Sequence, residues 1–491
     1  MMKSSEEDYE YPVPLMMLFT LLIKKEGNYM GLLTFKGGVH PYDGKELSKN
    51  FPIEKYLPQG EMIYPLSQHI GAPAKPVVAK GDRVLVGQKI AEAGGFISAP
   101  VICSVSGTVK SIEKKLTAGG AMVDAIVVEN DQQYEAIEGF GQARDYTKLT
   151  RDEIVNIVKE AGIVGLGGAG FPTSVKLAPK NIDKIDYFLV NGAECEPYLT
   201  SDYRIMLEEP EKIIGGLKVI LSIFPNAKGV IGIEDNKPEA VRTMTEAAKG
   251  ESNIEVVSLK TKYPQGGERQ LIYAITGRKI NSGMLPADAG CVVDNAATML
   301  AIYEAVCESK PLVSRILTVT GDAMAKPGNF RVPTGMDYQE IVDQAGGFKT
   351  EPEKIVCGGP MMGIPLFKLD IPVAKNSSSI LAFAHDQVSH EPTTACIGCG
   401  RCVSACPENL MPTMMFKAAL KKDTARFTAL EGMECLECGA CAYVCPAKRP
   451  LTQGFKEMKR RVGAERRAAA AKAKAEAEAK AAEKKAEEVQ K

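Results

Sequence analysis

The sequence of 491 residues predicts a multidomain chain of the α/β plus β class, ending in a mainly helical, cysteine-rich region and a helical tail. Short alternating apolar runs separated by glycines between residues 62 and 130 indicate a compact β domain. Helical and strand-like segments then alternate from residue 150 to 307, as in an α/β domain with a mostly parallel sheet. Two cysteine repeats between residues 396 and 445 indicate metal clusters.

Composition limits the class of protein. With 45% hydrophobic and 25% charged residues, the chain has the make-up of an ordinary soluble protein of several domains. A net charge of -1 argues against binding nucleic acid through bulk electrostatics, and we expect no nucleic-acid partner. Of the 13 cysteines, eight lie in the two repeats and the others stand singly, which is typical of a reducing compartment such as the cytosol.

Residues 1–30 are predicted as a separate N-terminal extension. Its apolar run, Tyr11 to Ile23, is too short to span a bilayer, and it follows acidic residues where a signal peptide would be positively charged. We expect either an interfacial or partner-binding segment, or a true start of the protein near Met30. The sequence leaves both open.

Residues 31–140 are predicted as the β-rich domain. The runs 76–91 and 98–109 place short strands between tight glycine turns. Their spacing resembles that of biotinyl/lipoyl-type barrel-sandwich hybrid domains. The hairpin tip that would carry a modified lysine has none here between Ser98 and Thr108, so we interpret this barrel-sandwich-like domain as a docking or structural module.

Residues 141–308 are predicted as the α/β domain. A helix should begin after Thr150 and end at Gly162, and the glycine-rich loop GLGGAGFPTSVKL follows at residues 165–177. A dinucleotide fingerprint needs a strand before such a loop, whereas here the strand, residues 185–190, comes after it. An ordinary Rossmann interpretation therefore fails, although the glycines still let backbone N–H groups approach an anion or a flat ring.

Polar residues follow that strand directly. Asn191, Glu194 and Glu196 lie in the segment NGAECEP, at the carboxyl end of the strand, where open α/β sheets bind ligands. Two loop carboxylates alone are more often simply solvated. Beside the glycine loop they predict a ligand site.

The cysteine repeats have the form C-x2-C-x2-C-x3-C-P at residues 396–407 and again at 435–446. This is the pattern of bacterial two-cluster ferredoxins, in which the fourth cysteine of each repeat ligates the other cluster. Zinc explains neither the third close cysteine nor the trailing Cys-Pro, and disulfide frameworks belong to small secreted domains. We assign one [4Fe-4S] cluster to Cys396, Cys399, Cys402 and Cys445, and the other to Cys435, Cys438, Cys441 and Cys406.

Together, GLGGAGFPTSVKL and NGAECEP resemble the NADH- and FMN-binding flavoprotein subunit of respiratory complex I. The full order, with TFKGGVHP at residues 34–41 before these motifs and the double ferredoxin motif after them, is similar to the RnfC family of the Rnf ion-translocating ferredoxin:NAD oxidoreductase complex. The resemblance covers residues 31–451. It implies FMN and NAD(H) besides the two [4Fe-4S] clusters.

The resemblance also implies cofactor-binding residues. FMN would lie on Gly165, Gly167, Gly168 and Gly170, with Lys176 on its phosphate and Asn191 hydrogen-bonded to the flavin; Phe171, Glu194 and Glu196 would meet the nicotinamide nucleotide; Glu268, Asn295 and Thr298 match further family positions. The chain departs from the complex I pattern at Ala297, where that protein has glutamate, and at residues 284–286, where a lysine before Pro-Pro-Phe-Pro is missing. The affinity or pose of the nucleotide can therefore differ from that in complex I.

Three further units are expected. Residues 309–375 resemble the soluble-ligand-binding β-grasp domain of the same family, with residues 358–363 as a turn-rich linker. Residues 376–455 form the mainly helical two-cluster ferredoxin-like domain, with a helix over 412–430. Residues 456–491, rich in Ala, Lys and Glu without an apolar stripe, predict a solvated helix or a frayed tail.

The implied function is that of an enzyme: the peripheral NAD(H)-oxidising or -reducing subunit of a membrane-bound complex that couples electron transfer to Na+ or H+ translocation. Because the sequence has no long apolar span, we expect it on the cytoplasmic face of the membrane. Its partners would be the membrane subunits and an iron-sulfur subunit that accepts electrons from ferredoxin. Two alternatives stay open, a member of a soluble bifurcating NADH enzyme and a non-catalytic iron-sulfur relay module.

Overall fold

The computed structural model describes residues 32–489, with side chains as far as residue 477, so the N-terminal apolar run lies outside the described residues. Within this part of the chain the strands form four sheets. None of the helices described there is both long enough and apolar enough to cross a bilayer.

The N-terminal region is a two-sheet sandwich. Its strands are β1 (Ile53–Lys55), β2 (Met62–Pro65), β3 (Lys75–Pro76), β4 (Arg83–Val84), β5 (Lys89–Glu92), β6 (Val101–Ile102), β7 (Gly107–Leu116) and β8 (Met122–Asn130). The sheets have the orders β2-β8-β7-β4 and β3-β5-β6, and their buried side chains, among them Tyr64, Ile90 and Val101, share one core. Strand β1 stands apart and pairs in parallel with a later strand at residues 329–331.

The next region is the predicted α/β domain. Its elements are α1 (Arg151–Glu160), α2 (Thr173–Lys176), β9 (Tyr187–Asn191), α3 (Ser201–Glu208), α4 (Pro210–Ile223), β10 (Lys228–Glu234), α5 (Pro238–Ala247), β11 (Ile254–Leu259), α6 (Glu268–Thr276), β12 (Cys291–Asn295) and α7 (Ala296–Cys307). The sheet has the order β11-β10-β9-β12 with parallel pairs throughout, which confirms the predicted parallel sheet. Helix α1 begins at Thr150 with a full capping box to Glu153, as its sequence predicts.

A mixed sheet follows. Its elements are β13 (Ser314–Thr320), β14 (Gly328–Pro333), α8 (Tyr338–Gln344), β15 (Lys354–Cys357), β16 (Ile364–Leu366) and β17 (Ser379–Phe383), in the strand order β1-β14-β13-β17-β15-β16. The prediction that residues 358–363 are a linker is wrong, because they form the turn between the antiparallel strands β15 and β16. Gly358 has φ 90°, and a side chain at Gly363 would lie 2.3 Å from the Gly359 carbonyl, so the glycines serve a tight reversal.

The C-terminal region is helical, as predicted. It contains α9 (Gln387–His390), α10 (Arg401–Ala405), α11 (Pro412–Leu420), α12 (Thr424–Ala429), α13 (Ala440–Tyr443) and α14 (Leu451–Val489). The predicted absence of an apolar stripe after residue 456 is wrong for the first turns of α14, because Leu451, Phe455, Met458 and Val462 lie on one face and are buried. From residue 464 to 477 the side chains are exposed, in agreement with a solvated helix.

Candidate functional site

A cleft of about 680 Å³ lies where the sandwich, the α/β domain and the mixed sheet meet. Its walls come from the glycine loop and the NGAECEP segment, from residues 65–70 and 117–119 of the sandwich, and from residues within 357–378. The volume falls in the range of about 300–1,000 Å³ that is typical of ligand sites.

Two hydrogen bonds fix the glycine loop. The Gly165 N–H donates to the Phe171 carbonyl at 2.8 Å, and the Leu166 N–H donates to Oγ1 of the buried Thr298 at 3.1 Å. A side chain at Gly167 would lie 2.9 Å from Asn295, so this glycine permits close packing on the start of α7. The N–H groups of residues 167–169 make no hydrogen bond within the described chain and lie exposed at the cleft. They are donors available to a ligand.

Glu194 is buried at the cleft wall and stabilises the start of α3. Its carboxylate accepts hydrogen bonds from the Asp202 N–H at 2.7 Å and the Tyr203 N–H at 3.3 Å. Burial raises the pKa of Glu194 to about 7, although the Lys45 amine, 4.0 Å away, favours the charged form. The carboxylate therefore anchors the acidic loop to a helix N-terminus.

Glu196 is anchored on the opposite side. Its carboxylate accepts hydrogen bonds from the Met361 N–H at 3.1 Å and the Met362 N–H at 2.9 Å, both in the turn between β15 and β16. Burial raises the pKa of Glu196 to about 7 as well. The acidic loop is thus held between α3 and the turn that the sequence suggested was only a linker.

Lys45 is a site residue that the sequence did not reveal. Its buried Nζ donates to the carbonyls of Glu194 and Glu196, each at 3.0 Å, and to that of Leu199. From another side, Lys237 donates to the Ala193 carbonyl at 2.7 Å. No local pattern could have predicted Lys45, because its partners lie about 150 residues further along the chain.

The parallel register of β9 and β12 brings Asn191 and Asn295 side by side at the cleft. The Asn191 amide donates to the Gly266 carbonyl at 2.8 Å. Asn295 caps α7 through the Ala297 N–H and donates to the Asp202 carboxylate at 2.6 Å. Both side chains are therefore oriented before any ligand enters.

The structure gathers only part of the predicted cofactor-binding set. The predicted residues that line the cleft are Gly167, Gly168, Asn191, Glu194, Glu196 and Asn295. Those outside its described lining are Gly165, Gly170, Phe171, Lys176, Glu268 and Thr298. Lys176 instead donates to the Val293 carbonyl at 2.8 Å and to the buried Asp294 carboxylate at 3.0 Å.

The second cysteine repeat surrounds a small enclosed space. The cysteines that line it are Cys406, Cys435, Cys438 and Cys441, the set assigned to one cluster. In the other assigned set, Cys402 and Cys445 are close enough for the charge of Cys445 to raise the pKa of Cys402, whereas Cys396 and Cys399 are exposed.

The spacing of these cysteines suits an iron-sulfur cube better than zinc. Tetrahedral zinc, with bonds of about 2.3 Å, brings its sulfur ligands to about 3.8 Å from one another. Among the described residues, no three cysteine sulfurs lie within 4.8 Å of one another. Burial raises the pKa of Cys435 to about 11 and that of Cys438 to about 12, so the binding of iron, which requires thiolates, would release protons here.

Tyr263 joins the cysteine region to the cleft. Its buried hydroxyl donates to the Cys438 carbonyl at 2.7 Å and lies 3.5 Å from Oε1 of Glu196. Gly439 is equally close, since a side chain there would lie 3.0 Å from the Met361 carbonyl. The second cysteine repeat therefore packs directly behind the acidic loop.

Models of four known families match successive parts of the chain. They are the RnfC barrel sandwich hybrid domain (residues 33–133), the Nuo51 FMN-binding domain (158–304), the SLBB domain (316–365) and the 4Fe-4S dicluster domain (395–448). The matches confirm the predicted fold class and, with the relatives below, the predicted cofactors FMN, NAD(H) and two [4Fe-4S] clusters.

Known proteins resemble the chain over most of its length. The RnfC-type protein of the proton-translocating ferredoxin:NAD(+) oxidoreductase complex of Clostridium ljungdahlii is 47% identical over 78% of this chain and 84% of that protein. Its counterpart in the Na(+)-translocating ferredoxin:NAD(+) oxidoreductase complex of Acetobacterium woodii is 45% identical over 88% of this chain and 98% of that protein. A solved NAD+-reducing [NiFe]-hydrogenase, in the H2-reduced state, matches with a TM-score of 0.46 and 18% identity over 64% of this chain and 61% of that chain, which is too distant to bear on function. By the identity and coverage of the first two relatives, the chain belongs to the RnfC family of ion-translocating ferredoxin:NAD+ oxidoreductase complexes.

Proposed function

We propose that this chain is the peripheral NAD(H)-reacting subunit of a membrane-bound ferredoxin:NAD oxidoreductase that couples electron transfer to the translocation of Na+ or H+. The observation that carries the proposal is the cleft in which the glycine loop faces the acidic loop, with the second cysteine repeat directly behind. This arrangement places a flavin and nucleotide site next to the ligands of an iron-sulfur cube.

Within the cleft, FMN would be held by the free N–H groups of the loop at Gly167 and Gly168 and by the oriented amides of Asn191 and Asn295. When bound, a flavin accepts two electrons together and releases them singly, which is the chemistry needed between NAD(H) and one-electron clusters. Thr298 would act from behind, by holding the loop.

Glu194 and Glu196 would face the nicotinamide nucleotide. Because burial keeps the pKa of each near 7, both carboxyls hold a proton for part of the time at neutral pH. This limits the negative charge beside a nucleotide that carries phosphates of its own. The backbone anchors of the two carboxylates would keep the acidic loop in place while nucleotides exchange.

The two cubes would be held by the cysteine sets assigned above. The second-repeat set lies against the cleft, whereas Cys396 and Cys399 are exposed and Ile397 between them is 71% exposed. We place the docking site for the ferredoxin-accepting iron-sulfur subunit at this exposed end, and the chain itself on the cytoplasmic face beside the membrane subunits. The exposed cysteine loop supports this placement because electron exchange needs close approach of the partner.

An anaerobic titration with NADH, followed by visible absorbance and EPR, tests the proposal. Wild-type protein should be reduced by NADH, and Glu194→Gln and Glu196→Gln should weaken that reduction while dithionite still reduces the protein. Glu211→Gln, an exposed carboxylate on α4, is the matched control and should behave as wild type. Unchanged NADH kinetics in both loop variants would refute the assigned site.

Cell fractionation tests the membrane part of the proposal. The protein should sediment with membranes together with integral partner proteins and should be released by high salt or mild detergent. Recovery wholly in the soluble fraction, without integral partners, would instead favour a soluble bifurcating enzyme. Protein that holds two cubes and is not reduced by NADH would favour a relay module.

A further inference from the structure

Arg315, on β13, reaches the cleft from outside the α/β domain. It is 5% exposed and lines the cleft wall beside the glycine loop. Its Nη2 donates to the Leu166 carbonyl at 3.1 Å, and its Nε donates to the Ser377 carbonyl at 3.2 Å. The guanidinium is therefore held rigidly between the glycine loop and residues 374–378.

One end of this guanidinium has no protein partner. Nη1 of Arg315 makes no hydrogen bond within the described residues, yet it is not among the fully buried unpaired atoms found there. It therefore keeps access to the cleft. No carboxylate of the described chain lies within 4.0 Å of the guanidinium, and the charge of Asp202 acts on it only from further away. A buried cation without a close counter-charge is costly unless an anion completes it.

The surroundings of Arg315 also suit an anion. Among the described residues that line the cleft, it is the one lysine or arginine. Asn376 and Ser378 line the same wall, and their side chains make no hydrogen bond within the described chain. The free N–H groups of Gly167 and Gly168 begin at the residue after Leu166, to which Arg315 is bonded. Lys176, in contrast, is occupied by Asp294.

We propose that Arg315 binds a phosphate group of the nucleotide in this cleft, with Nη1 as the charged donor and the loop N–H groups and the 376–378 side chains as further donors. The phosphate would belong either to FMN or to the diphosphate of NAD(H), which present the same chemistry to a guanidinium. This assignment rests on the proposed function, since it concerns the same cleft. It gives the mixed sheet a direct part in ligand binding.

The test measures ligand affinity on full-length protein with its clusters in place. Arg315→Gln removes the charge, Arg315→Lys keeps it without the fork of donors, and Arg242→Gln, an exposed arginine on α5, is the matched control. The probes are FMN against riboflavin, which lacks the phosphate, and ADP-ribose against adenosine, which lacks the diphosphate. Fluorescence quenching and calorimetry report the dissociation constants, and circular dichroism and iron content report folding.

The expected result for Arg315→Gln is a loss of about 10- to 100-fold in affinity for one phosphorylated probe, with its phosphate-free counterpart unchanged. Arg315→Lys should lose less. A selective loss for FMN assigns the flavin phosphate, and a selective loss for ADP-ribose assigns the dinucleotide. Equal losses for phosphorylated and phosphate-free probes, or no loss, would overturn the proposal.

Arg315 also supports the fold, so its variants can fail to fold. Modification of wild-type protein by phenylglyoxal, followed by mass spectrometry, then decides the matter. FMN or ADP-ribose should slow modification of Arg315 and leave that of Arg242 unchanged, and equal modification with and without both ligands would overturn the proposal. If wild-type protein binds neither ligand, the proposed function itself fails, which is distinct from normal binding by an intact Arg315 variant.

Discussion

Replacing Lys45 by methionine should release the acidic loop from its anchored position. The buried Nζ is the hydrogen-bond donor to the carbonyls of Glu194, Glu196 and Leu199, and it is the cation beside the Glu194 carboxylate. Methionine fills a similar volume but offers no donor and no charge. The variant therefore leaves three carbonyls and one carboxylate without this partner.

The cost follows from these contacts. Breaking a buried ion pair by removing one partner costs about 3–5 kcal/mol, and each buried carbonyl left without a donor costs about 1–3 kcal/mol. These contributions are not additive, because the groups share one site and Glu194 can keep a proton when its cation is gone. We therefore expect local stability to fall by about 4 kcal/mol, a factor of about 1,000 in the opening equilibrium.

Hydrogen exchange measured by mass spectrometry reads this local opening directly. Peptides that cover residues 192–200 should exchange about 1,000-fold faster in Lys45→Met than in wild type, and reduction by NADH should be lost while dithionite still reduces the clusters. Lys49→Met is the matched control, because Lys49 is four positions further along and exposed. Unchanged exchange of these peptides in Lys45→Met would show that the loop does not depend on this lysine.

Three further outcomes are expected. Cys406→Ser should remove the cube of the second repeat and Cys445→Ser that of the first; EPR and iron content check this, and loss of each variant's own cube would contradict crossed ligation. Burial raises the pKa of Glu196 to about 7, so the unfolded chain releases this proton near pH 4.5 while the folded chain keeps it, and the folded state loses stability as pH rises between those values. Glu196→Gln should therefore gain in melting temperature relative to wild type from about pH 5 to about pH 8, and a constant difference would contradict the shift. Phe455→Ala, which empties a site packed against two other aromatic rings, should destabilise the C-terminal region by about 3–5 kcal/mol, seen as earlier thermal loss of cluster absorbance; an unchanged thermal profile would contradict this packing.

Local signals in the sequence predicted much of the fold. The cap at Thr150 and the helix at residues 296–307 were predictable because their determinants lie within a few residues of one another. The glycines at residues 358–363 indicated a turn but not which strands it joins, since pairing of β15 with β16 and β17 is decided by the rest of the sheet. Local pattern therefore identified the turn and mistook its role.

The candidate site divides in the same way. The glycine loop and the acidic loop carry motifs, so the sequence located both. Lys45 and Arg315 carry none, because their partners are backbone carbonyls about 150 residues away in the chain. A backbone carbonyl has the same chemistry in every residue, so no sequence pattern marks it as the partner of a buried cation. Lys176 shows the converse, since its motif suggested a phosphate and its folded partner is Asp294.

The positions of the buried cations suggest how a nucleotide would be oriented. Lys45 and Lys237 approach the acidic loop from behind, where they are bonded to protein carbonyls, whereas Arg315 presents a free donor to the cleft. An anionic group therefore has one favourable end, beside residues 374–378. With the phosphate held there, the uncharged ring of the ligand is directed to the acidic loop, where Glu196 and Tyr263 border the second cysteine repeat. The same charge distribution that admits the phosphate thus directs the redox-active ring towards the cluster ligands.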